Sequence, residues 1–163
     1  MQSGTVDLES SVTELEERPF PGTGDPSLLL PDRGEDGAPF ADGLRARRLM
    51  LQRCEGCGSV RYPPGPVCPY CLGADHAWVE LSGRGRVHSW VRYHRSYLPE
   101  FESLMPYVVL CAELAEGPRV FGRLCDGNRG GDVEPSTGMA VRAIVERCPG
   151  GACILAFTAD HPF

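Results

Sequence analysis

Four closely spaced cysteines are the residues of this sequence whose pattern points to chemistry. Cys54 and Cys57 form one Cys-x-x-Cys pair, and Cys68 and Cys71 form a second pair after ten intervening residues. Each pair can turn two thiolates toward one point, and two facing pairs complete a tetrahedral site with four sulfur ligands. All four positions would then be filled by protein, which leaves no place for water or substrate. We therefore predict a structural Zn²⁺ bound by these four cysteines, while iron in the same site stays chemically possible.

The other four cysteines do not have the spacing of metal ligands. Cys111 and Cys125 lie in apolar stretches, where we expect them as small core residues. Cys148 and Cys153 flank a Pro-Gly-Gly turn and could face each other across a hairpin, as free thiols in a reducing compartment. A cysteine nucleophile needs a base beside it, and the sequence places no histidine or aspartate for that role. We therefore predict no catalytic residue.

A basic stretch with one tryptophan lies between residues 84 and 95. The alternating positions of this stretch are Arg84, Arg86, His88, Trp90, Arg92 and His94. On one strand they would share a face, because strand side chains alternate with a period of two. Such a face could bind single-stranded nucleic acid, the phosphates of CoA or a partner protein, and a solvated strand face would have the same pattern. These alternatives stay open, with Arg84, Arg86 and Trp90 as candidate contacts.

A second basic cluster ends a predicted helix over residues 39–48. Pro39 suits the first turn of that helix, and Phe40 and Leu44 are four residues apart and can share a buried face. The basic residues near its C-terminal end are Arg45, Arg47 and Arg48. Positive charge suits this end of the helix dipole, so a solvated role is the simpler interpretation. A docking patch for an anionic ligand is the alternative.

Composition limits the classes of protein that these candidates can belong to. The chain has 163 residues, which suits one compact domain with additions or two small modules. Its formal net charge is −6, and a nucleic-acid-binding protein usually needs a basic face. No stretch has the pattern of a secretory signal or of a membrane helix. We expect a cytoplasmic protein, in which clustered cysteines are ligands rather than disulfides.

Turn residues divide the chain into three predicted parts. Residues 1–38 are predicted to be an extended, poorly packed leader that can form one short helix, since Ser11 and Glu14 have capping-box spacing. Residues 39–75 are predicted to hold the helix and the zinc ribbon, and residues 76–163 an OB-fold. The candidate strands are 77–82, 85–95, 107–115, 118–125, 139–147 and 152–158. Roughly five strands with little helix pattern between them indicate a mainly β fold with a small five-stranded barrel.

In combination these motifs resemble a known family. The stretches that carry the resemblance are 51–58 with the first cysteine pair, 61–64 (Arg-Tyr-Pro-Pro), 68–71 (Cys-Pro-Tyr-Cys), 81–87, 106–109, 113–119 and 138–141. Over about residues 36–158 the chain resembles the zinc-ribbon/OB-fold proteins catalogued as domain of unknown function 35, which are associated with acyl-CoA enzymes. The resemblance implies N-terminal helices, a rubredoxin-like ribbon and then an OB barrel.

The resemblance also implies a role. Members of this family commonly accompany thiolase-fold enzymes, including steroid side-chain aldolases, or hotdog-fold hydratases, as accessory subunits that stabilise the enzyme or help to hold the acyl-CoA. The family often has an acidic-Gly pair before the ribbon strand, where this chain has residues 45–48 (Arg-Ala-Arg-Arg). We therefore expect a non-catalytic subunit with a thiolase-like partner. A single-stranded nucleic-acid-binding module is the alternative, and a free-standing enzyme ranks last.

Overall fold

The computed structural model describes residues 14–24, 34–125 and 133–160. The leader helix predicted around Ser11 begins outside these residues. In the described part of the chain, neither helix is long and apolar enough to span a membrane. In chain order the elements are β1 Glu16–Pro19, α1 Gly34–Arg45, β2 Leu49–Cys54, β3 Val60–Arg61, β4 His76–Leu81, β5 Arg84–Tyr93, α2 Pro99–Glu102, β6 Tyr107–Leu114, β7 Arg119–Leu124, β8 Ala140–Arg147 and β9 Cys153–Ala159.

A small antiparallel sheet in the order β3-β2-β4 forms the first layer. Its central strand is β2, on which Leu49 and Leu51 are fully buried. Helix α1 packs against this strand and buries Phe40 and Leu44, which confirms that these two residues share a buried face. The ring centroids of Phe40 and Tyr62 are 5.8 Å apart. The helix, the small sheet and the barrel thus share one hydrophobic core.

The strands from β5 onward close a barrel. β5 pairs with β6, β6 with β7, β7 with β9, β9 with β8 and β8 with β5, so five strands form a ring. All of these pairs are antiparallel except β7 with β9, where Arg123 lies opposite Ala156 in parallel register. The alternate residues Val141, Ala143 and Val145 of β8 are fully buried, as expected for a strand with one face in the core. The mainly β fold with a five-stranded OB barrel is confirmed.

All six strands predicted after residue 76 are present, and their ends lie within two residues of the predicted ones. The first of them, β4, pairs with β2 from Leu49 opposite Leu81 to Cys54 opposite His76. β4 therefore belongs to the sheet of the cysteine module, and the barrel begins with β5. Gly83, with a φ of +71°, turns the chain from one sheet into the other.

The described part of the leader is packed rather than loose. β1 pairs in parallel with β8, with Glu16 opposite Ile144. Leu15 and Phe20, at the two ends of β1, are both buried. The expectation of a poorly packed leader is therefore wrong for these residues, because the partner strand lies far along the chain and leaves no local pattern.

Helix α1 begins and ends earlier than the predicted range 39–48. It runs from Gly34 to Arg45, so Pro39 lies inside the helix rather than in its first turn. Arg47 has a φ of 59°, and the N–H of Arg48 donates to the carbonyl of Gly43 at 2.7 Å. A left-handed residue with such a backward hydrogen bond is the usual end of a helix.

A β-bulge divides the basic face predicted on β5. The register of β5 against β6 shifts between Val87 and Ser89, so His88 is the extra residue. Before the bulge Arg86 lies opposite the exposed Glu113, whereas after it Trp90 lies opposite the buried Leu110. Directly paired residues point to the same side of a sheet, so Arg86 and Trp90 point to opposite sides. The prediction of one shared face is wrong, because a single inserted residue reverses the alternation.

Candidate metal centre and adjoining surfaces

Two turns of the same geometry present the four cysteines. In the first, the N–H of Cys54 donates to the carbonyl of Ser59 and the N–H of Gly58 donates to the carbonyl of Cys54, both at 2.9 Å. In the second, the equivalent bonds run from Cys68 to Gly73 at 2.8 Å and from Leu72 to Cys68 at 2.9 Å. We call the second turn, residues 66–73, the distal knuckle. Both turns point their thiols to the same place.

The four thiols converge as a metal site requires. The sulfur atoms of the four cysteines all lie within 4.8 Å of one another. The Sγ atoms of Cys54 and Cys71 are 3.4 Å apart, and those of Cys57 and Cys68 are 3.6 Å apart. Zinc–sulfur bonds of about 2.3 Å place tetrahedral sulfurs about 3.8 Å apart, so the observed spacing fits one Zn²⁺. The four predicted ligands are therefore brought together.

Electrostatics also favours a cation at this point. Although burial raises the pKa of Cys68, backbone N–H groups of the distal knuckle lower it to about 6. The N–H of Gly73 lowers the pKa of Cys71, but the other three cysteine thiols and burial together raise it to about 12. Ionisation of one thiol therefore makes ionisation of its neighbour unfavourable. Four thiolates can lie this close together only with a positive ion among them. A closed set of four sulfur donors suits zinc in a structural role.

A buried polar network supports β2 beside the cysteines. Gln52 is fully buried, and its Oε1 accepts from Nε of Arg61 at 2.7 Å and from the N–H of Gly65 at 2.9 Å. Its Nε2 lies 3.0 Å from Nε2 of His76, and Nδ1 of His76 lies 3.0 Å from the carbonyl of Ala74. A carbonyl only accepts, so this histidine carries its proton on Nδ1 and accepts from Gln52. The sequence pointed to Gln52 and Arg61 only through the family motif.

Replacing Gln52 with leucine is expected to lower the free energy of unfolding by about 2–4 kcal/mol, because Arg61 and the N–H of Gly65 lose a buried acceptor. Urea unfolding of the zinc-loaded chain measures this change. Ser96→Ala is the control, since it removes an exposed side-chain hydrogen bond from Ser96 to the carbonyl of Leu98. Equal losses in the two variants would show that the network does not stabilise the ribbon sheet.

An open cavity of about 700 Å³ lies between α1 and the turn that joins β8 to β9. Its larger apolar groups come from Phe40, Leu44, Tyr62, Phe121, Ile154 and Leu155. Its glycine and alanine lining residues are Gly34, Gly37, Ala38, Ala41, Gly150, Gly151 and Ala152. Burial raises the pKa of Cys153, which also lines the cavity, so that this thiol stays protonated. The cavity therefore offers a binding surface rather than a nucleophile.

The three arginines predicted near the helix end do not form one patch. Each of Arg45, Arg47 and Arg48 makes an ion pair of its own. Their respective partners are Asp42, Glu14 and Glu80. Arg47 and Arg48 lie in the turn after α1, where Arg47 joins this turn to Glu14 of the leader and Arg48 joins it to β4. Of the three, only Arg45 lines the cavity, where its exposed guanidinium can reach a ligand.

The remaining four cysteines, Cys111, Cys125, Cys148 and Cys153, form no disulfide. Cys148 packs in a small cluster with Phe20 and Leu104, whereas Cys153 belongs to the main core, so the hairpin does not bring the two thiols together. Cys125 is buried as predicted for a core residue, and Cys111 is half-buried.

The barrel wall contains a buried ion pair that no local sequence pattern indicates. Arg123 and Glu146 are both buried, and Nε of Arg123 lies 3.3 Å from Oε2 of Glu146. The thiol of Cys125 donates to Oε1 of Glu146 at 3.2 Å, and Nη1 of Arg18 donates to the carbonyl of Cys125 at 3.0 Å. Burial and the neighbouring carboxylate raise the pKa of Cys125, so this thiol is not a nucleophile. This cluster joins β1, β7 and β8 structurally.

Comparison with known proteins agrees with both modules. Residues 41–77 match the family model described as the ChsH2 rubredoxin-like zinc ribbon domain, and residues 78–146 match that of the ChsH2 C-terminal OB-fold domain. The chain is 36% identical to a chain of the solved Ltp2-ChsH2(DUF35) aldolase, with a TM-score of 0.67 over 79% of this chain and 98% of that one. The ribbon match and the four-cysteine cluster are consistent with structural zinc.

Two related proteins of described role also match this chain in sequence. It is 43% identical over 94 residues to a probable enoyl-CoA hydratase alpha subunit of Thermomonospora curvata. The aligned residues are 58% of this chain but only 29% of that protein. It is 35% identical over 100 residues to a DUF35 domain-containing scaffold protein of Methanocaldococcus jannaschii, covering 61% of this chain and 68% of that protein. With two consecutive ChsH2 domain matches and a scaffold relative of similar extent, this chain belongs to the DUF35 family of zinc-ribbon/OB-fold proteins.

Proposed function

We propose that this chain is a non-catalytic accessory subunit of an acyl-CoA-processing complex in lipid, steroid or polyketide-type metabolism. Its partner is a thiolase-like enzyme, either a thiolase or an aldolase, which carries out the carbon–carbon chemistry. The observation that carries the proposal is the likeness to the Ltp2-ChsH2(DUF35) aldolase chain, which this chain covers almost completely. Zinc held by Cys54, Cys57, Cys68 and Cys71 would stabilise the ribbon and take no part in the reaction.

The chemistry of the described residues supports an accessory role. A catalytic thiol must ionise, but burial raises the pKa of both Cys125 and Cys153. The zinc ligand set has no open position for a substrate. What the chain offers instead is a cavity with an exposed arginine, Arg45, beside it. An exposed ion pair such as Arg45 with Asp42 is weak, so this arginine can exchange its carboxylate for a phosphate of acyl-CoA at small cost.

The nucleic-acid alternative loses the surface on which it depended. The bulge at His88 places Arg86 and Trp90 on opposite sides of β5, so no continuous basic and aromatic platform remains on that strand. A gel-shift assay with single-stranded DNA at low salt tests the alternative directly, and a clear shift would revive it. We also propose a cytoplasmic location, because four of the eight cysteines converge as metal ligands and none of the eight forms a disulfide.

Co-expression with a thiolase-like enzyme from the same gene neighbourhood tests the proposal. We expect the two chains to co-purify in a fixed ratio, and we expect the soluble yield of the enzyme to rise severalfold. Acyl-CoA turnover per enzyme subunit should be higher in the complex than in the enzyme alone. An enzyme that is fully soluble and active alone, and that never co-purifies with this chain, would refute the accessory role.

A further inference from the structure

The distal knuckle presents apolar side chains that the described fold leaves in solvent. Val67, Tyr70 and Leu72 are exposed by 51%, 71% and 76%, respectively. They lie within six residues of one another on a single tight turn. Grouped apolar side chains in water are a feature of surfaces that bind other molecules, whereas isolated ones are ordinary. These three side chains therefore indicate a surface that binds a partner.

The backbone of Leu72 strengthens that conclusion. Leu72 has a φ of 63°, and the equivalent residue of the first turn, Gly58, has a φ of 73°. Both residues follow the second cysteine of a pair, and both donate their N–H to the carbonyl of the first cysteine at 2.9 Å. Glycine adopts this conformation freely, whereas a leucine side chain is strained in it. Leucine at this position therefore opposes the stability of the turn.

Arg47 is also left-handed, but its contacts within this chain can compensate for the strain. Its φ is 59°, but its side chain forms an ion pair with Glu14 and its carbonyl accepts from the N–H of Leu15 at 2.8 Å. These contacts hold the leader against the helix end. The side chain of Leu72 makes no comparable stabilising contact with the described fold, since the residue is about three quarters exposed. Strain that is kept without internal compensation commonly marks a position with an external function.

The charge and the backbone order of the distal knuckle indicate which class of partner it binds. Residues 62–75 contain no arginine, lysine or histidine and one acidic residue, Asp75. A surface without positive charge does not suit nucleic acid or an anionic membrane. Prolines at 64, 66 and 69 and the cysteine site keep the backbone ordered before binding, which reduces the entropy lost on association. Tyrosine on an ordered, uncharged turn is typical of the central contacts between proteins.

The projecting shape of the distal knuckle favours an enzyme subunit over a second copy of this chain as the partner. Side chains exposed to this degree need a concave receptor. A two-fold contact between copies would place two projecting tips against each other, since such an interface uses the same patch on both subunits. We propose that Val67, Tyr70 and Leu72 anchor this chain in an apolar pocket on its partner enzyme subunit. This inference rests on the accessory role proposed above.

Binding of the zinc-loaded full chain to the enzyme subunit that co-purifies with it tests the anchor. We expect Leu72→Gly and Tyr70→Ser each to raise the dissociation constant at least tenfold by calorimetry. Leu72→Gly keeps the left-handed backbone accessible, so zinc content should stay at one ion per chain and the melting temperature should not fall. Tyr97→Ser is the matched control, because Tyr97 is 82% exposed but lies outside the distal knuckle. Its dissociation constant should stay within twofold of the parent chain.

The outcomes separate this inference from the accessory role. If the complex forms and neither knuckle variant weakens it, the anchor is wrong and the accessory role stands. Equal weakening by Tyr97→Ser would also overturn the assignment to the knuckle. If sedimentation shows that the knuckle variants abolish self-association of this chain while enzyme binding is unchanged, the occupant is a second copy and the inference fails. Absence of any complex overturns both proposals.

Discussion

Cys54→Ser is expected to abolish zinc binding and to unfold the cysteine module. Structural zinc contributes apparent free energies of about 10–16 kcal/mol in small zinc domains, which is comparable to the whole stability of an ordinary domain. Cys54 is the last residue of β2 and lies opposite His76 of β4, so loss of the site reaches directly into the ribbon sheet. We therefore expect the complex with the partner enzyme to be lost as well.

Metal analysis and thermal unfolding followed by circular dichroism measure this effect. We expect zinc to fall from one ion per chain to none, with loss of the cooperative transition of the ribbon. Cys111→Ser is the matched control, because Cys111 is a half-buried thiol of the barrel outside the cysteine cluster. It should keep its zinc. A zinc-free Cys54→Ser chain that unfolds at the parent temperature and still assembles would refute the structural role.

Chelation distinguishes a structural zinc from a catalytic one in the complex. A metal that only holds the ribbon together changes enzyme activity through the amount of intact complex. Activity per assembled complex should therefore stay constant while the assembled fraction falls. A fall in turnover by complexes that remain assembled would show that the metal takes part in the reaction.

Glu146→Gln is expected to destabilise the barrel by about 3–5 kcal/mol, because it leaves the buried guanidinium of Arg123 without its carboxylate. The side chains of Arg123 and Glu146 are only 8% and 2% exposed, so solvent does not replace the lost partner. The amide of glutamine keeps only one of the two carboxylate oxygens that accept from Arg123 and Cys125. Urea unfolding monitored by circular dichroism measures the change.

An exposed ion pair on the same barrel provides the control. Glu113→Gln breaks the pair between Glu113 and Arg119, whose side chains are about half exposed, and it should change stability by less than about 1 kcal/mol. Replacing Arg123 and Glu146 together with methionine should recover much of the loss, since two apolar groups leave no buried charge. Similar losses for Glu146→Gln and Glu113→Gln would show that burial of the pair has no energetic consequence.

The leader provides a further contrast between pattern and structure. Arg147 forms two hydrogen bonds with Glu17, at 2.8 and 2.7 Å, and these bonds fasten β1 to β8. Neither residue belongs to a motif, and their side chains meet only because β1 and β8 run in parallel register. Pairing between distant strands depends on the whole barrel, so propensity alone could not reveal it.

The sequence by itself determined the features that depend on short spacing. Two Cys-x-x-Cys pairs define the metal site because each turn holds its two thiols within four residues. Alternation with a period of two marked the six strands predicted after residue 76, since the ribbon sheet and the barrel each bury one face of their strands. Phe40 and Leu44 identified the buried face of α1 for the same kind of reason.

Only the tertiary structure decided which of these elements meet and on which side. A single inserted residue at His88 reversed the face of β5, and local alternation carries no signal for such a bulge. The burial of Arg123 with Glu146, and the cavity beside Arg45, depend on contacts between segments far apart in the chain. The distal knuckle belongs to both categories. Its cysteines were evident from spacing, but the strain and exposure of Leu72 became visible only in the folded chain.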